Sequence, residues 1–171
     1  MPIKFPRVVV MFRNILVCVD GSSQSDQALS QAIDLADSEH SRLTIITAIS
    51  RPPYWACTPM TAAGVEPLAA DMAREAEQAL RAAVDRVPES IPVTKILTRE
   101  PIREALIHQI KTGNYDLVVM GSRGRGALTS SVLGSVSHFA LNHSQVPVLI
   151  VNADGQVVAG SERDGVEAAR A

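Results

Sequence analysis

The chain has 171 residues and a formal net charge of −2, and 46% of its residues are hydrophobic but only 4% are aromatic. This length suits one well-buried domain with an aliphatic core rather than two domains. A net charge near zero gives no global basic field, so the sequence favours neither nucleic acid nor an anionic membrane surface as a partner. It contains no run of about eighteen apolar residues, which argues against a membrane span.

The cysteine content favours a reducing compartment. Cys18 and Cys57 cannot form a disulfide framework and match no zinc-ligand spacing. We therefore expect a cytoplasmic protein. Residues 1–12 lack a long apolar stretch and a small-residue cleavage site, so they are interpreted as an N-terminal extension and not as a signal peptide.

The first half of the chain predicts two strands around one helix. Residues 14–19 are almost entirely apolar and are followed by Asp20 and Gly21, as in a strand buried on both faces of a parallel sheet. Three serines that follow are candidate N-caps for a helix over 26–36 with an apolar stripe. Residues 43–49 are predicted to form the second strand.

A long loop and a second strand–helix unit follow. Residues 50–67 contain four prolines and are predicted to form a loop with a functional role. Residues 68–87 have the apolar spacing of a helix, 93–98 the partial alternation of a strand, and 101–110 the pattern of a helix that begins at a proline.

The last part of the predicted domain repeats the alternation. Residues 116–120 are predicted to form the fourth strand, a fourth helix begins between 131 and 135, and 146–151 form the fifth strand. After Asn152 the chain becomes polar and small, so 153–171 are predicted to be a disordered tail.

The alternation predicts an α/β fold with an open five-stranded parallel sheet and helices on both faces, a Rossmann-like architecture. In such sheets ligands bind beyond the carboxyl ends of the strands, where the strand order reverses. Asp20, Ala48, Met120 and Gly121 all lie at predicted carboxyl ends.

The most informative motif is a pair of glycine features after the fourth strand. Gly121 and Gly124 are separated by two residues, and Gly134-Ser135 follow after nine more. Glycines let backbone amides approach oxygen atoms closely, and the start of a helix adds unpaired N–H donors and a positive dipole end. Two such features suit a polyphosphate better than a single carboxylate, although a simple turn after the strand is the alternative.

Neighbouring residues have two interpretations each. Asp20 either faces the ligand or begins the first helix as a cap or turn residue, or does both. Arg123 either contacts phosphate or belongs to a solvated loop. The loop is not a P-loop, because Ala127 and Leu128 stand where lysine and serine or threonine are needed.

With this motif the chain resembles the universal stress protein family, in its nucleotide-binding branch. The resemblance covers about 13–152, which we take as the domain between the extension at 1–12 and the tail at 153–171. The segments that carry it are 15–22, 116–126, 133–136 and 146–151.

The resemblance implies an ATP pocket with particular parts, Mg²⁺ accompanying the nucleotide. It places Asp20 on the ribose and adenine side, Ala48 with its backbone against adenine, and Met120 and Gly121 along the ribose. It assigns the phosphates to Gly124 and to the residues Gly134, Ser135 and Val136. The family usually has a glycine before the proline that begins the third helix, where this chain has Glu100.

The resemblance further implies a cytosolic, ATP-binding regulator of the stress response that acts on an unidentified protein partner. It places the fifth strand at the sheet edge and so implies a homodimer through that strand. No catalytic residue and no metal-ligand set is assigned. The alternatives are a slow ATPase or autophosphorylating enzyme in the same pocket, and an interaction module that binds another adenine nucleotide. The absence of a lysine near the glycine motif favours binding over turnover.

Overall fold

A computed structural model describes residues 11–52, 62–124, 133–152 and 157–159, with the backbone alone for 62–64 and 157–159. The strands are β1 (Asn14–Cys18), β2 (Arg42–Ala48), β3 (Val93–Thr98), β4 (Leu117–Gly121), β5 (Val148–Val151) and β6 (Val157–Ala159). The helices are α1 (Ser23–Glu39), α2 (Ala62–Asp85), α3 (Ile102–Thr112) and α4 (Ser135–His143).

The strands form one sheet in the order β3-β2-β1-β4-β5-β6. The first five are parallel, as the sequence predicts, and β6 is antiparallel to β5. The strand order reverses between β1 and β4, which pair directly with Cys18 opposite Met120. Their carboxyl ends therefore lie side by side at the switch point, where α/β sheets bind ligands.

Both faces of the sheet are buried, because successive strand residues contribute to different hydrophobic clusters. Ile15 and Val17 of β1 pack in one cluster with α1 and α2, whereas Leu16 between them packs in the other with α3 and α4. Residues of β4 alternate in the same way. This two-sided burial explains why the strands are apolar runs and not alternating patterns.

The amino ends of the strands are joined by hydrogen bonds. The Asp116 carboxylate accepts the amides of Arg13 at 2.8 Å and Asn14 at 3.0 Å, which joins the start of β1 to the segment before β4. The Ser41 hydroxyl donates to the carbonyl of Phe12, and the amide of Arg42 donates to that of Arg13 at 2.8 Å. Backbone groups at this end of the sheet thus have partners within the fold.

The predicted loop over 50–67 is too long at its carboxyl end. Helix α2 begins at Ala62 and includes Pro67, whereas the sequence predicts its start after that proline. Pro67 is the sixth residue of the helix, past the first turn in which proline is readily tolerated, so the rule that a proline precedes or begins a helix did not mark the boundary here. Tyr54 and Trp55 of this segment lie outside the described residues.

Strand β6 corrects the predicted disordered tail and the predicted sheet edge. It occupies 157–159, and Ile150 of β5 lies opposite Val158. The outer edge of β5 carries backbone groups that need partners, and two β-branched valines suit an added strand. The fifth strand is consequently not the outermost one. The rest of the tail, 160–171, and the extension at 1–10 lie outside the described residues.

Candidate functional site

A cavity of about 670 Å³ lies at the carboxyl ends of the strands. Its lining includes all nine residues that the sequence singles out, namely Asp20, Ala48, Met120, Gly121, Arg123, Gly124, Gly134, Ser135 and Val136. The fold thus brings together four separate chain segments. Cavities of this size are typical of sites for small ligands and cofactors.

The segment after β1 forms a tight turn that leads into α1. The amide of Ser22 donates to Asp20 Oδ1 at 3.0 Å, and the Ser22 hydroxyl accepts the amide of Ser25 at 3.2 Å as the N-cap. Gly21 has φ 77°, a conformation that glycine adopts without strain. Asp20 is therefore a turn residue that also lines the cavity, and its contact with a ligand stays a prediction.

The Asp20 carboxylate also lies against the glycine loop after β4. A Cβ atom on Gly124 would lie 2.5 Å from Asp20 Oδ2, so only glycine leaves room for that oxygen in this position. The carboxyl ends of β1 and β4 thus meet through one carboxylate and one glycine.

Gly121 has a structural role that the sequence does not reveal. A Cβ atom there would lie 2.9 Å from the backbone carbonyl carbon of Gln24 in α1. Backbone atoms cannot move aside cheaply, so this glycine permits the close packing of α1 on the end of β4. This packing role stands beside the predicted role of Gly121 in ligand approach, which stays a prediction.

Ser122 fixes the loop between β4 and α4. Its amide donates to the Val151 carbonyl at 2.8 Å, and its carbonyl accepts both the Gly134 amide at 2.7 Å and the Ser137 hydroxyl at 2.9 Å. Ser122 and Ser137 are 7% and 2% exposed. These buried bonds hold the glycine loop against the start of α4, and the only sequence signal for them is two serines among glycines.

Helix α4 begins at the cavity with donors that its own turn cannot satisfy. The N-cap is Gly134, which has no side chain to accept a hydrogen bond. The amides of Ser135, Val136 and Ser137 occupy the first turn, where no carbonyl of the helix is available to them, and all three residues line the cavity. The amide of Gly134 itself donates to the Ser122 carbonyl, and its predicted contact with phosphate stays a prediction.

Apolar residues form the opposite side of the cavity. Ala48 ends β2 and Ile49 follows it, and Pro101 is the N-cap of α3, which begins at Ile102. The amide of Ile49 donates to the Thr98 carbonyl at 2.8 Å, which aligns the two segments. The sequence analysis of the site missed Pro101 and Ile102. It did note the position just before Pro101, where this chain has Glu100 and the family usually has glycine.

Two arginines give the cavity positive charge. Arg51, after β2, and Arg123, after β4, both line it, as do the first residues of α4. Arginine and a helix N-terminus are both favourable to bound anions, so the cavity combines an apolar side with an anion-binding side.

Cys18 lines the same cavity from the end of β1. Burial, and to a smaller extent the nearby Asp20 charge, together raise the pKa of its thiol from 9.0 to about 12. The thiol is therefore neutral at physiological pH and acts as an apolar lining group. Cys57 lies outside the described residues.

The described part of the chain contains no group of three or more histidine, cysteine, aspartate or glutamate side chains that could hold a metal ion. Nor does any of the helices described there have the length and apolarity to cross a membrane. The described lining of the cavity includes no lysine.

Comparison with known proteins gives a family match over most of the chain. The model of the universal stress protein family matches residues 11–152. Universal stress protein YxiE of Bacillus subtilis is 32% identical over 149 residues, which cover 82% of this chain and 99% of that protein.

Solved structures show the same fold. The universal stress protein UspA of Lactobacillus plantarum superposes with a TM-score of 0.68 at 19% identity, covering 82% of this chain and 98% of its own. A universal stress protein in complex with cAMP superposes with a TM-score of 0.54 at 25% identity, covering 84% of this chain and 99% of its own.

Proposed function

The chain belongs to the universal stress protein family, and on that premise we propose that it is a cytosolic, nucleotide-binding regulator that holds ATP with Mg²⁺ in the large cavity. The observation that carries this proposal is the start of α4, where three helix amides and Arg123 face a cavity with an apolar opposite side. The neighbouring structure in complex with cAMP supports an adenine nucleotide as the ligand.

The proposed pose follows the chemistry of the lining. The phosphates lie at the amides of Ser135, Val136 and Ser137, where the helix dipole favours negative charge. The adenine ring lies on the apolar side formed by Ala48, Ile49 and Ile102. Asp20, which lines the cavity at the end of β1, lies on the ribose and adenine side of this pose, and no protein ligand is assigned to the Mg²⁺ that accompanies the phosphates.

Ser135→Pro tests this pose, because proline is favoured at the first position of a helix. The change removes one N–H donor, and Gly134 before it already has the extended ψ of 157° that a following proline requires. Calorimetry should show ATP affinity reduced about tenfold, the effect of one hydrogen bond to a charged group. Ser135→Ala, which keeps the N–H and removes the hydroxyl, is the matched control and separates the two donors.

Unchanged ATP affinity in a folded Ser135→Pro variant would show that the phosphates do not lie at the start of α4. Titrations with AMP, cAMP and GTP on the same preparation establish whether ATP is preferred. Tighter binding of AMP or cAMP than of ATP would support an adenine nucleotide as the ligand but contradict ATP. The interaction-module alternative predicts this outcome.

We propose that turnover is absent or slow, well below the roughly 1–10³ s⁻¹ of ordinary enzymes. The absence of lysine from the described lining supports this, because charge on the transferred phosphoryl group needs stabilisation. Phosphate release should stay near background with ATP and Mg²⁺. Release at an enzymatic rate that is lost in Asp20→Asn would favour the ATPase or autophosphorylating alternative.

We further propose a homodimer. Its interface at the sheet edge differs from the predicted pairing through the fifth strand, because β6 now lies at that edge. Because β6 covers β5, a second copy pairs either with β6 or with β5 after β6 has moved away. Light scattering of the wild type at micromolar concentration should give the mass of a dimer. Val158→Pro discriminates the two geometries, since it should weaken a dimer through β6 and strengthen one through β5.

A further inference from the structure

Arg51 lies at the rim of the large cavity, and the proposed pose gives it no role. It follows the end of β2, lines the cavity and is exposed. Within the described part of the chain its side chain makes no hydrogen bond and no ion pair. Its guanidinium is therefore available to a bound ligand.

The sheet register fixes which part of the cavity Arg51 reaches. Ala48 at the end of β2 pairs with Thr98 of β3, and the Ile49 amide donates to the Thr98 carbonyl at 2.8 Å. Strand β1 separates β2 from β4, so the end of β2 lies about 10 Å from the end of β4, at two interstrand spacings. Arg51 thus belongs to the apolar side of the cavity, away from the first turn of α4.

The apolar side can pack against a base ring, but only on one of its faces. Ala48, Ile49, Pro101 and Ile102 present hydrocarbon side chains that pack against a planar ring without hydrogen bonds. The opposite face of the ring then needs another cover to be shielded from water. A guanidinium is planar, weakly hydrated and stacks on aromatic faces, whereas a lysine ammonium is a compact and strongly hydrated charge.

We propose that Arg51 stacks its guanidinium on the face of the nucleotide base that the apolar side leaves open, and that this contact makes the site prefer purines to pyrimidines. The inference rests on the proposed nucleotide function and deepens it, since it names the part of the ligand that the segment after β2 recognises. A purine offers two fused rings to the guanidinium and a pyrimidine only one, so the larger base gains more from the same contact. Because the phosphates take no part, adenosine and ATP should gain equally.

Arg51→Lys tests the stacking, because it keeps the positive charge and removes the planar group. Calorimetry, with ligand-detected NMR for the weaker ligands, should show the affinities for adenosine and ATP reduced by the same factor, about threefold. The ratio of ATP affinity to CTP affinity should fall as well. Arg42→Lys is the matched control, since Arg42 is exposed at the amino end of the same strand, and it should leave all three affinities unchanged.

A contact between Arg51 and the phosphates would give a different pattern. Arg51→Gln, which removes the charge, would then weaken ATP and leave adenosine unaffected, and Arg51→Lys would bind both ligands like the wild type. That pattern would overturn the proposal.

A spectroscopic measurement separates stacking from an indirect effect on the fold. The Nε–Hε signal of Arg51, assigned by its loss in Arg51→Lys, should move upfield when adenosine is added to the labelled protein, because a ring face shields the protons stacked on it. An unmoved signal at saturating adenosine would contradict the stacking.

The failure of this inference is distinguishable from the failure of the proposed function. If the wild type binds adenosine and ATP and Ser135→Pro weakens ATP alone, the proposed nucleotide site stands. Unchanged affinities in Arg51→Lys would then overturn the role of Arg51 only. A wild type that binds neither ligand would overturn both.

Discussion

The two ends of the sheet satisfy their backbone groups in different ways. At the amino ends, Asp116 and Ser41 join neighbouring segments by hydrogen bonds within the fold. At the carboxyl ends, the first turn of α4 and the loop from Gly121 to Gly124 surround a cavity of about 670 Å³. The amino end thus uses its hydrogen bonds for stability, whereas the carboxyl end leaves the first-turn amides of α4 without acceptors inside the helix.

The carboxyl end of the sheet nevertheless contains one tightly packed position, Gly121. Substituting it should give the largest loss of stability. Gly121→Ala places a Cβ atom 2.9 Å from the backbone of Gln24 and should lower the free energy of unfolding by about 3 kcal/mol, measured by urea denaturation. Gly124→Ala is the control. Its Cβ meets the Asp20 carboxylate, which can rotate away, so this variant should lose little stability but should alter nucleotide affinity. The same stability for both variants would contradict this contrast.

The thiol of Cys18 tests how dry the carboxyl end is. Because folding raises its pKa from 9.0 to about 12, the unfolded chain loses this proton first as the pH rises. The stabilising effect is therefore complete below pH 9 and is lost on going toward pH 12. Relative to Cys18→Ala, the wild type should lose about 1.4 kcal/mol per pH unit above pH 9, hence about 2 kcal/mol by pH 10.5. If the difference in free energy of unfolding between the wild type and Cys18→Ala does not change with pH, the thiol of Cys18 is solvated in the folded protein.

A substitution at the amino end should affect stability alone. Asp116→Ala removes the acceptor of two amides and should lower the free energy of unfolding by about 1.5 kcal/mol. Nucleotide affinity should be unchanged, since Asp116 lies at the opposite end of the strands from the cavity. A clear loss of affinity in calorimetry would show that the two ends are coupled and would break the comparison.

The smallest effect is expected at Ser137, whose hydroxyl donates to the Ser122 carbonyl at 2.9 Å. Ser137→Ala should cost about 1 kcal/mol of stability and should also weaken nucleotide binding, because the loop is no longer held against α4. Ser144→Ala removes a hydrogen bond to Val146 after the other end of the same helix. Ser144→Ala should lose a similar amount of stability but keep its nucleotide affinity. Equal losses of affinity in the two variants would show that Ser137 does not position the loop.

The sequence determined the order of elements and the residues that gather at the large cavity. Apolar runs such as 14–19 indicate strands buried on both faces because only a sheet covered by helices tolerates them. The carboxyl ends of parallel strands lie at one edge, so placing Asp20, Ala48 and Gly121 at strand ends was enough to bring them together. The loop after β4 and the start of α4 bring the other predicted residues to the same edge, so all nine line the cavity. Their roles as ligand contacts stay predictions.

Only the tertiary structure decided which of these groups are already used. The amide of Gly134 donates to Ser122, and Gly121 meets the backbone of α1, because segments distant in sequence approach there. The pairing of β6 with β5 and the lack of a hydrogen-bond partner for the Thr47 hydroxyl among the described residues also depend on how the elements pack together. Local patterns report which face a residue occupies, whereas hydrogen-bond partners and close contacts depend on distances between elements. That physical difference separates what the sequence specified from what folding added.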